Sequence, residues 1–163
     1  MTQKAVGIAG WLKDVNDNFA DIKPIGTDIG LGVLRVARFE FDAGVEANRA
    51  IGAHGTGVTL PIHAIVVGGF IDVNTKFDSD ATDAGTIAIK VEGANDIISA
   101  AAVSGAPYST VGRKAIVPKA NTPESTSVKC TAAREITCTV AVEPLLSGML
   151  TGYLYYVEGI ASA

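Results

Sequence analysis

Apolar and polar residues alternate with a period of two in the second half of the stretch from Ser127 to Val142, and this pattern limits the fold more than any other feature. The apolar positions are Ile136, Cys138, Val140 and Val142. Successive side chains of a strand point to opposite faces, so the pattern predicts a strand with one dry face. A short strand-like segment precedes it, and a polar turn at Ala132 to Glu135 separates the two. We therefore predict a β-hairpin whose apolar face lies in the core.

Several other segments have the strand period and are separated by turn residues. Strands are predicted after Val33, from Ile65 to Phe77, from Thr86 to Glu92, from Lys114 to Val117 and from Leu150 to Val157. Gly68 and Gly69 predict a bulge or a bend in the second of these strands. The glycine-rich stretch from Asp42 to Leu60 is predicted to be a long loop, as is the small-residue stretch through Gly105 and Pro107. Short strands spaced by roughly 8–12 residues indicate a mainly β, antiparallel sandwich or barrel.

The first 31 residues differ from the rest of the chain. Trp11, Val15, Phe19 and Ile22 recur at helical spacing among polar residues. This pattern predicts a short amphipathic helix that ends before Pro24. We therefore divide the chain into an N-terminal arm, residues 1–31, and a β domain, residues 32–163. The apolar face of the helix either packs on its own domain or contacts a neighbouring subunit.

Charge and composition exclude several classes of partner. The 163 residues have a formal net charge of −4 and no run of Lys or Arg, which argues against nucleic acid as a partner. No apolar run approaches the roughly 18 residues of a membrane span, and the N-terminus lacks a signal-peptide pattern. Cys130 and Cys138 could be near neighbours across the hairpin, so a disulfide is possible. In a protein made in a reducing cytoplasm, two small buried thiols are favoured.

The residue chemistry gives no active site. His54 and His63 lack a third metal ligand, and the turn residues Asp78, Asp80 and Asp83 are typical of a solvated turn. The calcium-loop-like residues 14–18 and the glycine-rich runs lack the residues that calcium or phosphate binding needs. No cysteine or serine can be paired with a histidine by spacing. We predict no catalytic residues, no metal and no cofactor, and therefore a protein that is not an enzyme.

A resemblance to a known family suggests a role. Between Leu60 and Tyr156, about three-fifths of the chain, Pro61 with IHAIVVGGFIDV is followed by TIAIKVEG, GRKAIVP and KCTAAREITCTVAVEPLLSGMLTGYLYYV. This order resembles small virion structural proteins of tailed bacteriophages that decorate or cement the capsid. The resemblance implies a jelly-roll-like β-sandwich, a homotrimer, binding to the major capsid protein, and a place on the capsid surface of a virion assembled in the bacterial host cytoplasm.

Two hypotheses about contact residues follow. In the first, Trp11, Val15 and Phe19 of the N-terminal arm contact the capsid or a neighbouring subunit. In the alternative, the chain is a tail- or fibre-associated module that recognises host glycans through outward-pointing tyrosines and the Asp42 to Leu60 loop. Tyr153 and Tyr155 share a parity that Tyr156 does not, so a strand buried on one side explains these tyrosines better than a flat sugar platform.

Overall fold

A computed structural model of the chain describes residues 33–119 and 126–159. Within these ranges the chain forms nine strands and one turn of 3-10 helix, Glu46–Asn48. The strands are β1 Arg35–Asp42, β2 Gly52–Leu60, β3 Ala64–Ser79, β4 Thr86–Lys90, β5 Ile98–Ala102, β6 Gly112–Ile116, β7 Val128–Lys129, β8 Arg134–Ala141 and β9 Leu145–Glu158. The predicted N-terminal helix, with Trp11, Val15 and Phe19, lies outside the described residues. No helix in the described ranges is long and apolar enough to cross a membrane.

The strands form two antiparallel sheets that share one core. The first sheet has the order β1-β9-β3-β6, with β7 also paired to β3, and the second has the order β2-β8-β4-β5. Phe39, Ile71 and Leu154 of the first sheet and Ile87 and Ile136 of the second are buried in the same cluster. Burial of each such side chain contributes roughly 1.5–3 kcal/mol. The prediction of a mainly β, antiparallel fold is confirmed, and two sheets that share one core are compatible with the predicted sandwich.

The predicted hairpin from Ser127 to Val142 is wrong, although its dry face is largely right. β7 pairs with β3 in the first sheet, whereas β8 pairs with β2 and β4 in the second. The chain between β7 and β8 therefore crosses from one sheet to the other. Alternation determines which side chains point inward, but it carries no information on which strand supplies the hydrogen bonds. Ile136 and Val140 are buried as predicted, whereas Val142 is exposed.

The two cysteines are not cross-strand neighbours, because the hairpin that would pair them does not form. Cys138 lies opposite His54 on one side and Ile89 on the other. Cys130 follows β7, and its backbone N–H donates to the carbonyl of Ala64. Both are buried thiols, as predicted. Burial raises the pKa of Cys130 to about 11 and that of Cys138 to about 12, so both stay protonated at neutral pH.

Two stretches predicted as loops contain strands. The second half of the Asp42 to Leu60 loop is β2, and the small-residue loop before Gly105 contains β5. The inward positions of β2 include Gly52, His54 and Thr56, which are not apolar. The alternation of inward and outward positions in β2 is therefore visible in the burial of its residues but not in their types. Strand pairing with β8 supplies the stabilisation that side-chain pattern does not indicate.

The irregularity in β3 that Gly68 and Gly69 predict, a bulge or a bend, is present as a shift in the register of the first sheet. The register with β9 shifts between Val66 and Gly68, so the inward parity differs before and after this point. A Cβ atom at Gly69 would lie 2.2 Å from the carbonyl oxygen of Tyr153. Only glycine allows β9 to approach β3 this closely. The bulge thus positions the outward side chains that follow on both strands.

Glu92 fixes the crossing between the two sheets. Its carboxylate, just after β4, accepts hydrogen bonds from the Nε and a terminal nitrogen of Arg134, both at 2.9 Å. The backbone N–H of Thr131 donates to the same carboxylate at 3.0 Å. Hydrogen bonds from Arg134 and Thr131 lower the pKa of Glu92 from its ordinary value of 4.5 to about 2. One carboxylate therefore holds the segment that connects β7 to β8.

Replacing Glu92 with glutamine should weaken the fold in a pH-dependent way. A carboxylate whose pKa is lowered in the folded state stabilises the protein above its unfolded pKa, and this stabilisation is lost as the pH falls through the folded pKa. We expect E92Q to lose about 1–2 kcal/mol of unfolding free energy at pH 7, after allowance for solvent screening. Urea unfolding at several pH values should show the difference from the original protein shrinking between about pH 4.5 and pH 2. A difference that stays constant over this window would contradict the assignment.

Candidate interaction surface

The two histidines lie near opposite ends of β2 and do not form a site. His54 lies near the start of the strand, where its Nε2 is 2.7 Å from the carbonyl oxygen of Ala50. His63 lies beyond the other end, in the turn between β2 and β3. The described residues contain no group of three or more His, Cys, Asp or Glu side chains that could hold a metal ion.

The aspartates around the β3–β4 turn are used by the turn itself. The Asp78 carboxylate accepts a hydrogen bond from Lys76 at 2.9 Å, and hydrogen bonds from Lys76 and Ser147 lower its pKa. Asp83 accepts a hydrogen bond from the backbone N–H of Ser79 at 3.1 Å. Asp80 accepts one from the backbone N–H of the next residue. These contacts are those of a closed polar turn, as the sequence predicts.

An apolar groove of about 370 Å³ lies between β5 and β6, which are the edge strands of the two sheets. Ile97, Ile98, Pro107, Ile116 and Val117 supply much of its wall. Of the described lining residues, Asn95 and Ser99 are polar. None of the described residues that line the groove carries a carboxylate or an imidazole, so none of them can act as a general acid or base of that kind.

The outer face of the first sheet presents an unusual combination of aromatic and arginine side chains. Arg38 of β1 lies opposite Tyr153 of β9, which in turn lies opposite Phe70 of β3. Their neighbours along the strands, including Phe39 and Leu154, point into the core. Alternation therefore directs all three outward. We call this surface the aromatic face; it comprises Arg38, Phe70, Arg113, Tyr153 and Tyr155.

Phe70 is the centre of the aromatic face. Its ring stacks on Tyr153 with a centroid distance of 4.7 Å and meets Tyr155 edge-on at 6.1 Å. The guanidinium carbon of Arg113 lies 4.5 Å from the ring centroid. Because β9 and β6 flank β3 on opposite sides, the tyrosines and the arginine enclose Phe70 from both directions. Stacking and cation–π contacts of this kind hold the side chains in one arrangement.

Each arginine of the aromatic face is paired with a neighbouring carboxylate of the same chain. Arg38 forms an ion pair with Glu40, and hydrogen bonds to Tyr153 and Glu40 raise its pKa. A terminal guanidinium nitrogen of Arg113 lies 3.8 Å from a carboxylate oxygen of Asp72. Exposed Val36, opposite Tyr155 in the register, extends the apolar part of the surface. A neutral surface rich in tyrosine, phenylalanine and arginine has the composition of a protein–protein interface core.

The sequence pattern predicted only part of this surface. Tyr153 and Tyr155 do share one face of β9, and Tyr156 packs against the core instead. Phe70 and Arg113 come from β3 and β6, and nothing in the sequence links them to the tyrosines. The arrangement argues against glycan recognition through the Phe70 ring, because a sugar stacks on an open ring face. Both sides of Phe70 are already covered by Tyr153 and Arg113.

Comparison with known proteins finds the fold in phage capsids. No family model and no curated protein matches the chain. A chain from the capsid of Ralstonia phage GP4 matches with a TM-score of 0.57 and 18% identity, over 80% of this chain and 87% of that one. A chain from the cyanophage Pam1 capsid matches with a TM-score of 0.52 and 19% identity, over 85% and 94%. A chain from the acid-stable capsid of Helicobacter pylori bacteriophage KHP30 matches with a TM-score of 0.52 and 14% identity, over 77% and 87%. At these identities the likeness shows a shared fold.

Proposed function

We propose that the chain is a structural protein of a bacteriophage virion, and specifically a capsid decoration, or cement, protein that binds the major capsid protein on the outside of the head. The observation that carries the proposal is the fold shared with chains of three phage capsids, over 77% to 85% of this chain. The sequence resemblance to virion structural proteins supports the same role. The function requires stable interfaces and no catalytic chemistry.

The strand order supports a finer description of the fold as a jelly roll. Jelly rolls consist of eight strands in two sheets, wound as two Greek keys. Here β1, β9, β3 and β6 face β2, β8, β4 and β5, and the chain passes repeatedly from one sheet to the other. The short strand β7 extends the edge that β6 forms on β3.

We further propose a homotrimer in which the aromatic face contacts the neighbouring copy. Its ion pairs are satisfied within one copy, so a second copy can approach without like-charge repulsion. A cyclic trimer needs a heterologous interface, in which the aromatic face meets a different surface of the next subunit. Three linked copies also turn weak capsid contacts into tight attachment.

The N-terminal arm is proposed as a further contact with the capsid or a neighbouring subunit, through Trp11, Val15 and Phe19. We expect deletion of residues 1–25 to abolish capsid binding or trimerisation while the β domain stays folded. The physical reason is that β1 begins only at Arg35, so the deletion leaves every described strand intact. Circular dichroism would test whether the β domain stays folded, light scattering whether it is trimeric, and binding to phage heads whether it attaches to the capsid. Unchanged binding and unchanged mass would contradict the proposal.

The proposed function is tested most directly by counting copies of the chain in purified virions against copies of the major shell protein. Decoration predicts on the order of hundreds of copies per particle, because capsid symmetry repeats each binding site many times. A handful of copies would instead indicate a tail component. Binding on a glycan array, without affinity for heads, would favour the alternative function as a host-recognition module.

A further inference from the structure

Four large apolar side chains are exposed at the end of the sandwich where β1 and β8 end. They are Val45, Ile51, Val142 and Leu146, which are 51%, 56%, 65% and 53% exposed. Two neighbouring parts of the chain carry them: residues 43–51 after β1, and residues 142–146 after β8. The backbone N–H of Leu145 donates to the carbonyl of Arg49 at 2.9 Å, and the first residue of β2 pairs with Val140. We call these four residues the loop-end patch.

Val142 is held in an unfavourable backbone conformation. Its φ is 71°, and the backbone N–H of Glu143 donates to the carbonyl of Ala141 at 2.9 Å. This is a γ-turn with positive φ, which is rare and strained, and a β-branched residue is seldom found in that region. The Glu143 carboxylate accepts hydrogen bonds from Ser79 at 2.9 Å and from the backbone N–H of Ala84 at 3.1 Å. The β3–β4 turn thus fixes the residue that follows Val142.

The domain itself gains little from a valine at this position. Val142 is the most exposed of the large apolar side chains in the described residues, so its methyl groups contribute little to the core. Glycine would adopt the same backbone conformation without strain. Strain that the fold does not need is a feature of functional positions.

The charges around the loop-end patch define what can cover it. Among the described residues, the segments that meet at this end carry Asp42, Glu46, Asp78, Asp80, Asp83 and Glu143, against Arg49 and Lys76. Two copies of such an acidic end would repel each other, which disfavours self-association through it. A partner must bury the apolar side chains and also supply positive charge around them.

We propose that the loop-end patch docks into an apolar depression rimmed by lysine or arginine side chains on the shell of the virion. The inference rests on the proposed virion function and identifies the surface that meets the shell. It assigns the two described surfaces different partners: the neutral aromatic face meets another copy, and the acidic loop end meets the shell. Val142 is the side chain that enters the depression, because its turn projects it into solvent.

The inference is tested with heads purified from a phage that lacks the gene for this chain. Val142→Asn introduces a residue that tolerates positive φ and removes the apolar side chain. Because the substitution also relieves the backbone strain, we expect V142N to melt at or slightly above the temperature of the original protein, to keep its trimeric mass, and to bind heads about tenfold more weakly. The matched control is Ile62→Asn, which likewise replaces a β-branched apolar side chain with asparagine, at a 52% exposed position beyond the opposite end of β2. I62N should bind like the original protein.

A charge variant tests the rim of the depression separately. Glu46→Lys reverses an exposed charge beside Val45, and it should weaken head binding and flatten its dependence on salt concentration. Equal affinity of V142N and the original protein would overturn the inference while leaving the virion function standing. An equal loss in I62N, or a V142N protein that loses its trimeric mass, would overturn it as well. An original protein that fails to bind heads would overturn the proposed function and this inference together.

Discussion

Replacing Gly152 with alanine is expected to destabilise the domain by about 3 kcal/mol, a large part of the stability of a typical domain. Gly152 lies on the inward side of β9, directly opposite Phe39 of β1. A Cβ atom at this position would lie 2.1 Å from Cζ of the Phe39 ring. Because Phe39 is 1% exposed and surrounded by core side chains, the ring has no free space into which to move. The ring therefore occupies the volume that the missing side chain leaves.

Urea unfolding of three further variants, compared with G152A, would separate this overlap from a general effect of alanine in a strand. Phe39→Leu removes part of the ring and should cost about 1–2 kcal/mol on its own. In the G152A/F39L double variant the methyl group gains room, so the combined loss should be smaller than the sum of the two single losses. Gly68→Ala is the control, since a Cβ atom at Gly68 of the same sheet meets nothing within 4 Å. Additive losses, or an equal loss in G68A, would contradict this account.

The sequence predicted which side chains are buried better than which strands are paired. The inward residues of β4, Ile87 and Ile89, and those of β8, such as Ile136, follow from alternation alone. Pairing depends on contacts between strands far apart in the chain, and local pattern does not encode them. The predicted hairpin failed for this reason, since turn residues between β7 and β8 do not distinguish a hairpin from a crossing between sheets. Arg134 and Glu92 fix that crossing from 42 residues apart.

The candidate surfaces were predicted less well than the core. The parity of Tyr153 and Tyr155 was visible in the sequence, but Phe70 and Arg113 join them only through the order of β9, β3 and β6. Val142 follows the parity of the dry face, and the γ-turn after β8 is what directs it to solvent instead. The sequence does not indicate this turn, because valine is among the residues least expected at positive φ. The contacts predicted for the N-terminal arm remain a prediction.

Replacing Phe70 with aspartate is expected to convert the proposed trimer into monomers. The change removes the ring that Tyr153, Tyr155 and Arg113 surround, and it places a carboxylate at the centre of the aromatic face. Loss of a central aromatic residue typically costs an interface 2 kcal/mol or more, which is about 30-fold in affinity. A cyclic trimer has three copies of the interface, so the loss is repeated at each. Light scattering at micromolar concentration should then give the mass of a single chain.

Two further variants make the result specific to the aromatic face. Arg113→Glu changes a side chain that is 68% exposed, so it should leave the core intact. The substitution introduces repulsion with Asp72 and removes the cation above Phe70. We therefore expect the measured mass to shift towards that of the monomer. Ala53→Asp adds a carboxylate at an exposed position of β2 in the other sheet and should leave the trimer unchanged. A trimeric F70D protein would show that copies meet through another surface. A monomeric A53D protein would show that the outer face of the second sheet also takes part in the contact between copies.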